Sequence, residues 1–445
     1  MIDRRFAGMT AFWVTWGGLV LAFTGSGLAR FGLSVWVYQE TGDAQAFALL
    51  LFFGVFPLSL RALIAGPLVD RLDRHHILVA SSALARVPTL IVMLLWWQGG
   101  LEQWHIYLAL VANAVSNAFV LPAFDASVRL LVPYERLDQA SGLTQLLPLL
   151  GLIVGPPVAG VLLLAFGLGG IFVTDLAAVA LALVALGLVR IPSPPRSTEA
   201  GRSGVWRDFV AGLQYVFERP AFSFLALYLA AVVFAWGFVY ALSGPLMLGI
   251  GNEAAMGLSY AAFGVGSVIG AAAVGGWRHR AHRIPGILGA SLVLSVAITA
   301  TGLRPSVPWV VAFVALFGTV MTVVQALNRV VFQLHGAPEM LGRVFAFRLV
   351  LVSIAQSAGT LLAGALAERV FEPAMAAGGA WAPRLGPWVG QGPGRGAGVL
   401  MALVGLAIVA LSLLAAASRR VRRLEDGLAL DVGGAVVPTS PSVLR

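Results

Sequence analysis

Gly66-Pro67-Leu68-Val69-Asp70-Arg71-Leu72-Asp73-Arg74-His75-His76 separates two long apolar runs, and the fold follows from reading that break. The runs on either side, residues 44–69 and 76–98, each exceed the ~20 residues that cross a hydrocarbon core. Four charged residues fall in the five positions 70–74, so the chain meets water there and the flanking runs form an antiparallel pair of spans. The same alternation recurs along the chain. It predicts spans at 10–38, 44–69, 76–98, 104–124, 140–165, 169–190, 221–248, 255–277, 285–303, 308–330, 343–368 and 397–417. The predicted fold class is all-α: a polytopic membrane protein with twelve transmembrane helices in two pseudo-symmetric six-helix bundles.

Composition agrees. The 445 residues are 59% hydrophobic and 11% charged, with a mean hydropathy of +0.89, against about 25% charged residues in a soluble domain. Twelve spans of about 21 residues leave roughly 190 for loops and tails, too few for a second soluble domain. Cysteine is absent, which excludes disulfides, thiolate catalysis and cysteine-ligated metals. All 29 basic residues are arginine, and without lysine the chain has no P-loop. Any pumping therefore draws on an ion gradient or a partner subunit. No metal, cofactor or enzymatic activity is expected.

Arginine sets the orientation, because cytoplasmic loops keep positive charge. With the N-terminus inside, cytoplasmic segments, counting Arg190 and Arg343 at the span ends, hold 20 arginines and the opposite loops four, Arg304, Arg369, Arg384 and Arg395. Both termini are expected in the cytoplasm and the protein in the cell (inner) membrane. The net charge of +9 is thereby explained without a nucleic-acid partner. The first apolar run follows Arg4 and Arg5 but is longer than a signal-peptide core, and reads as a retained helix.

The predicted organisation is an N-terminal bundle over 1–190, a cytoplasmic linker over 191–220, a C-terminal bundle over 221–417 and a disordered tail over 418–445. The linker opens with Pro192-Ser193-Pro194-Pro195. It then places Trp206, Phe209, Val210, Leu213, Val216 and Phe217 at helical spacing, an amphipathic helix on the inner leaflet that straps the halves together. The halves echo one another. Val132-Pro133-Tyr134-Glu135-Arg136 after span 4 parallels Ala337-Pro338-Glu339 through Arg343 after span 10. Internal repeats of this kind are typical of secondary transporters, whose substrate site lies between the repeats near the midplane.

Two motifs carry a family resemblance. The 66–76 segment, with Gly66, Asp70, Arg71 and Arg74, resembles the loop between the second and third helices of the major facilitator superfamily. It departs from that pattern at Asp73, often glycine there, and at His75. Physically, Asp70 at a helix end beside two arginines can latch one conformation and release it in another. In span 5, Gly142, Gly151, Gly155, Pro156 and Gly160 resemble the antiporter motif of the drug-export branches, with Ala159 as the one departure. Gly151 and Gly155 offer a small face for close helix contact, and Pro156 and Pro157 favour a kink. The resemblance implies that this helix seals the halves in one state and favours exchange over leak. Gly25 to Phe31, Leu121 to Ser127 and Gly342 to Arg348 extend the likeness to the macrolide-efflux-like branch of drug:proton antiporters. Span 4 departs from many drug antiporters in lacking an arginine; it carries Asn113, Ser116 and Asn117.

Ionisable groups inside the bilayer cost about 2.5–3.5 kcal/mol each on insertion scales and mark function or pairing. Asp175 is the one carboxylate well inside a span, and Arg30 falls at similar depth. Two readings stand: Asp175 carries protons in competition with Arg30, or the two form a static ion pair. Arg30, Arg61 and Arg86 outnumber Asp175, which tilts the cargo toward neutral or anionic amphipathic molecules. The amides Asn113, Asn117, Gln145, Gln325, Asn328 and Gln356 are candidate cavity residues or helix-to-helix ties. The sequence as a whole reads as an exporter of small amphipathic molecules (a drug, siderophore or peptide-like metabolite) by proton antiport and alternating access. Its expected partners are the lipid bilayer, the small-molecule substrate and protons, and it is expected to work as a monomer. An importer or lipid flippase of the same fold is the alternative.

Overall fold

Backbone N–H and C=O groups find no water in lipid, so a spanning segment pairs them within itself as a helix. The computed structural model describes residues 8–59, 73–189, 191, 205–275, 283–337 and 339–418. The helices used below are α1 (Gly8–Thr41), α2 (Ala44–Ser59), α3 (Arg74–Leu84), α4 (Val87–Trp97), α5 (Gln103–Asn117), α6 (Val120–Leu131) and α7 (Leu137–Leu188). They continue as α8 (Val205–Phe217), α9 (Pro220–Ile250), α10 (Glu253–Gly275), α11 (Arg283–Leu303), α12 (Val307–His335), α13 (Leu341–Leu366) and α14 (Arg395–Ala417).

Among the described residues, ten helical segments are long and apolar enough to cross a membrane. One of them, α7, counts twice. Its 52 residues would extend about 78 Å at 1.5 Å per residue, more than twice a ~30 Å hydrocarbon core. The chain reverses at Gly167, whose φ of 61° and ψ of −165° only glycine adopts without strain. Spans 5 and 6 thus meet at a single residue, where the sequence suggested a short loop. The apolar α2, whose continuation lies outside the described residues, completes the twelve helices of the fold.

Two predicted spans are broken. Span 3 consists of α3 and α4, separated at Ala85–Arg86 two residues ahead of Pro88, which has no N–H for a helical bond. Span 4 consists of α5 and α6, separated at Ala118–Phe119 ahead of Pro122. Large apolar side chains face outward: Phe166, Leu414 and Trp97 are 69%, 71% and 80% exposed, a surface suited to lipid and not to water.

Within the first half α1 packs along both arms of α7; within the second, α10 packs on α12, α9 on α13 and α11 on α14. The halves join through α7 against α10 and α2 against α13. The amphipathic α8 lies against α13. Phe209 and Phe217 reach the Phe347 ring, with centroids 5.8 and 6.0 Å apart, and the Ala337 N–H donates to the Tyr215 hydroxyl at 2.9 Å.

Candidate functional site

The site is built on α1, where glycines let neighbouring helices come close. A Cβ at Gly25 would stand 2.5 Å from the Asp175 carboxylate, and one at Gly155 would stand 3.1 Å from the Gly27 backbone. Gly151 faces the Phe23 carbonyl in the same seam. The second half repeats the device: Gly237 of α9 meets Gln356 and Gly359 of α13, and Gly359 meets Phe234. Small residues at these points bring backbones together, the main source of helix association in lipid.

Between the halves lies a cavity of about 490 Å3. Its wall includes Phe23, Ser26 and Arg30 of α1, Arg86, and Thr89 of α4. It is completed by Asn113 and Asn117 of α5, Pro148 and Gly151 of α7, and Trp236, Leu349 and Ser353 from the second half. Ser26 and Arg30 are four residues apart and share one face of α1.

Asp175 is fully buried behind this wall, and its partner is Arg86, not Arg30. Arg86 Nη1 stands 3.6 Å from Asp175 Oδ2, while Nη2 donates to Ser26 Oγ at 2.7 Å and to the Ala22 carbonyl at 3.1 Å. The expected Arg30–Asp175 pair does not form, for a geometrical reason. Asp175 faces α1 at Gly25, and five residues at 3.6 per turn carry Arg30 about 140° round the helix, onto the cavity side. Arg86 reaches the carboxylate from the break between α3 and α4. Thr89 of α4 also stands beside the Asp175 carboxylate, so the same helix region that supplies Arg86 supplies its one neighbouring hydroxyl. The signal for Arg86 in the sequence was an arginine in mid-span two residues before a proline.

The six candidate amides separate. Asn113 and Asn117 line the cavity but also bind protein. Asn113 Nδ2 donates to the Ala85 carbonyl at 2.7 Å, bridging to the broken span, and Asn117 Nδ2 donates to Asn113 Oδ1 at 2.7 Å. Asn328 is fully buried and donates to the Leu225 carbonyl at 3.1 Å, a tie between α12 and α9 away from the cavity. Gln145, Gln325 and Gln356 are not part of the cavity wall. Ser26, Thr89 and Trp236 are wall residues that the sequence did not single out.

The motif glycines of span 5 divide between two contacts. Gly151 and Gly155 face α1 within the first half; Pro156 and Gly160 face α10 of the second. A Cβ at Gly257 would lie 2.5 Å from the Pro156 carbonyl, and one at Gly160 would lie 2.7 Å from the Glu253 carbonyl. A Cβ at Gly142 would meet nothing within 4 Å outside its own helix backbone. Of the loop motif, Gly66, Asp70 and Arg71 lie outside the described residues, as does Arg61, and Arg74 is described only as the first residue of α3. Asp73 has a local role: it caps α3, accepting from the His76 N–H at 3.0 Å.

The halves also meet at the face where α1 ends and α2 begins. Asp43 Oδ1 accepts from the Gln45 and Ala46 N–H groups at 2.5 and 3.2 Å, capping α2, and Glu368 of the other half accepts from the Ala44 N–H at 3.0 Å. Gln39 donates to Glu253 across the same boundary. Glu372 caps α14 through the Gly394 and Ala397 N–H groups at 3.1 and 2.8 Å. Carboxylates at helix N-termini are favoured by the backbone dipoles.

Twelve membrane-crossing helices closing on a central cavity define a membrane transporter for small molecules. The chain belongs to the Major Facilitator Superfamily, whose sequence profile matches residues 15–360. It is similar to macrolide efflux protein A of Streptococcus pyogenes, 24% identical over 363 residues that cover 81% of this chain and 90% of that one. It is also similar to the multidrug efflux pump Tap of Mycolicibacterium fortuitum, 26% identical over 360 residues covering 78% and 87%. In fold it matches a bacterial homolog of the human lysosomal transporter Spinster in an inward-facing, unoccupied conformation. That match has a TM-score of 0.66 and 17% identity, and covers 96% of this chain and 99% of the other. This is a multi-pass transport protein and not an enzyme.

Proposed function

We propose that the protein exports small amphipathic molecules from the cytoplasm in exchange for protons, by alternating access of the central cavity. The observation that carries this reading is the position of the contacts between halves. Gly160, Gly257 and Glu368 bring the halves together on the face where α1 ends, and the cavity lies on the other side of these contacts. The arginine distribution assigns that other side to the cytoplasm, so the cavity faces the compartment from which an exporter loads. Both termini are then cytoplasmic, and the protein works as a monomer in the cell membrane with 1–190 and 221–417 as its rocking halves, 191–220 as the strap and 418–445 as a tail. The efflux names of the relatives favour export over import or lipid flipping by the same fold.

Coupling is assigned to Asp175 acting through Arg86. A buried carboxylate has one cation 3.6 Å away and the Thr89 hydroxyl beside it; protonation releases Arg86, which shares the cavity wall with Ser26. The test uses everted vesicles with an imposed pH gradient, wild type beside Asp175→Asn. Cargo-dependent proton movement in wild type and its loss in the variant support the coupling. Movement unchanged by the substitution leaves antiport in place but removes Asp175 from it. No movement with any amphipathic compound overturns proton antiport.

A further inference from the structure

The cavity wall is unevenly charged, and the imbalance bears on what the proposed exporter carries. The following rests on the reading of this cavity as the cargo site. Its described wall contains two charged residues, Arg30 and Arg86, and no carboxylate. The two arginines differ in circumstance. Arg86 is 5% exposed, has Asp175 behind it and donates to Ser26 and the Ala22 carbonyl. Arg30 has no ion pair and donates no hydrogen bond within the described residues. Guanidinium does not lose its proton in proteins, so Arg30 is a permanent charge.

Among the described residues, the surroundings of Arg30 add nothing to neutralise it. Beyond the main cavity it borders a small side pocket with Ser34, Tyr240 and Tyr260, whose hydroxyls are neutral. From the second half, Arg348 and Arg329 stand near the Phe345 ring, with no acidic partner among the described residues. Asp175, which packs against α1 at Gly25, is paired with Arg86, and Asp43 and Glu368 are engaged at the N-terminus of α2. A permanent cation whose described wall offers a second, engaged arginine, hydroxyls, amides and apolar groups is incomplete without an anion. A cavity of about 490 Å3 is within the usual ~300–1,000 Å3 range for drug-sized ligands.

We propose that Arg30 is the docking point for the anionic group of an amphipathic cargo, a carboxylate or sulfonate, whose apolar body lies against Phe23, Leu110 and Trp236. Arg86 stays committed to Asp175 while the carboxylate is charged, so the cavity accepts one anion at a time. A cationic amphipath of the same size meets two guanidinium groups and no acid among the described wall residues, and is disfavoured.

A matched probe series tests this on the purified full-length protein: dansylglycine as anion, dansylamide as neutral form and dansylcadaverine as cation. Binding is read as energy transfer from tryptophan, with Trp236→Phe identifying the transfer that originates in the cavity. The expected result is dansylglycine at least tenfold tighter than dansylcadaverine, with dansylamide between them. Arg30→Gln should bring dansylglycine to within about twofold of dansylamide, Arg30→Lys should keep most of the advantage, and Arg30→Glu should favour the cation. Equal or tighter binding of the cation by wild type overturns the anion assignment and leaves the cavity as a cargo site. An anion preference that survives in Arg30→Gln removes Arg30 from it. Absence of Trp236-dependent transfer with all three probes overturns the cargo-site reading itself. Should Arg30→Gln fail to give a monodisperse protein, the wild-type ranking and Arg30→Lys still decide the matter.

Discussion

Asp175, near the middle of the second arm of α7, stands 3.6 Å from Arg86, which occupies the break between α3 and α4, and of the ion pairs among the described residues this is the one with both members buried. The pair joins a residue with no exposure to one in the cavity wall. A change of charge at Asp175 therefore reaches the cavity through Arg86, without Asp175 itself meeting cargo.

Removing one member of such a pair leaves the other charge buried and uncompensated, which costs about 3–5 kcal/mol in comparable cases. Arg86→Gln and Asp175→Asn should each lower the thermal unfolding temperature in detergent, Arg86→Gln more, because it strands the carboxylate. The double variant should recover part of the loss. Additive losses in the double variant would show that the two side chains are energetically independent.

Gly27 and Gly142 provide a matched comparison within motifs of similar appearance. A methyl at Gly27 collides with the Gly151 carbonyl, whereas one at Gly142 has free space around it. Gly27→Ala should cost about 1–3 kcal/mol, the range for overpacking, and Gly142→Ala should be close to neutral. Chemical unfolding of both variants, monitored by tryptophan fluorescence, checks the contrast.

Closure at the face where α2 begins depends on Glu368 accepting the Ala44 N–H from the other half. Glu368→Ala should loosen this seam. The chain has no cysteine, so a single Ala48→Cys, at a position now 1% exposed, reports it cleanly. Maleimide labelling at that site should be several-fold faster with Glu368→Ala than without it. Equal rates would mean that α2 and α13 are held by packing alone.

Gly257 lets α10 approach the Pro156 carbonyl of α7. Gly257→Val should keep the halves apart there, so that the protein inserts and purifies normally while efflux falls at least tenfold. Normal efflux in a cell-based accumulation assay would show that this contact is not needed in the transport cycle.

Much of this was legible beforehand. Runs of about 20 apolar residues separated by arginine-rich breaks dictate spanning helices, because a bilayer leaves the backbone no other way to satisfy its polar groups. Asp175 announced itself by the cost of a carboxylate in hydrocarbon. The echo of the halves was visible in the loops after spans 4 and 10, but its physical core, the seams at Gly27 with Gly151 and at Gly237 with Gly359, was not. In a chain with 52 glycines, nothing in the sequence marks which ones face a neighbouring backbone. Asn328 looked the same as Asn113 in the sequence, yet one ties α12 to α9 and the other lines the cavity.

The partner of Asp175 shows where the boundary falls. Membrane depth can be counted along a span, so the sequence determined that Arg30 and Asp175 lie at similar levels and that neither belongs in lipid unpaired. Which way each side chain faces depends on the rotation of its helix, and that is set by packing: Gly25, not Arg30, turns toward Asp175. The break ahead of Pro88 then brings in Arg86 from a third helix, 89 residues away in the chain. Span count is a one-dimensional property and follows from composition and periodicity, whereas Arg395, which the sequence places in an outer loop, is 1% exposed. The pairing of the buried charges, and the unpaired arginine it leaves in the cavity, required the three-dimensional arrangement, because only the fold decides which faces of three separate helices meet.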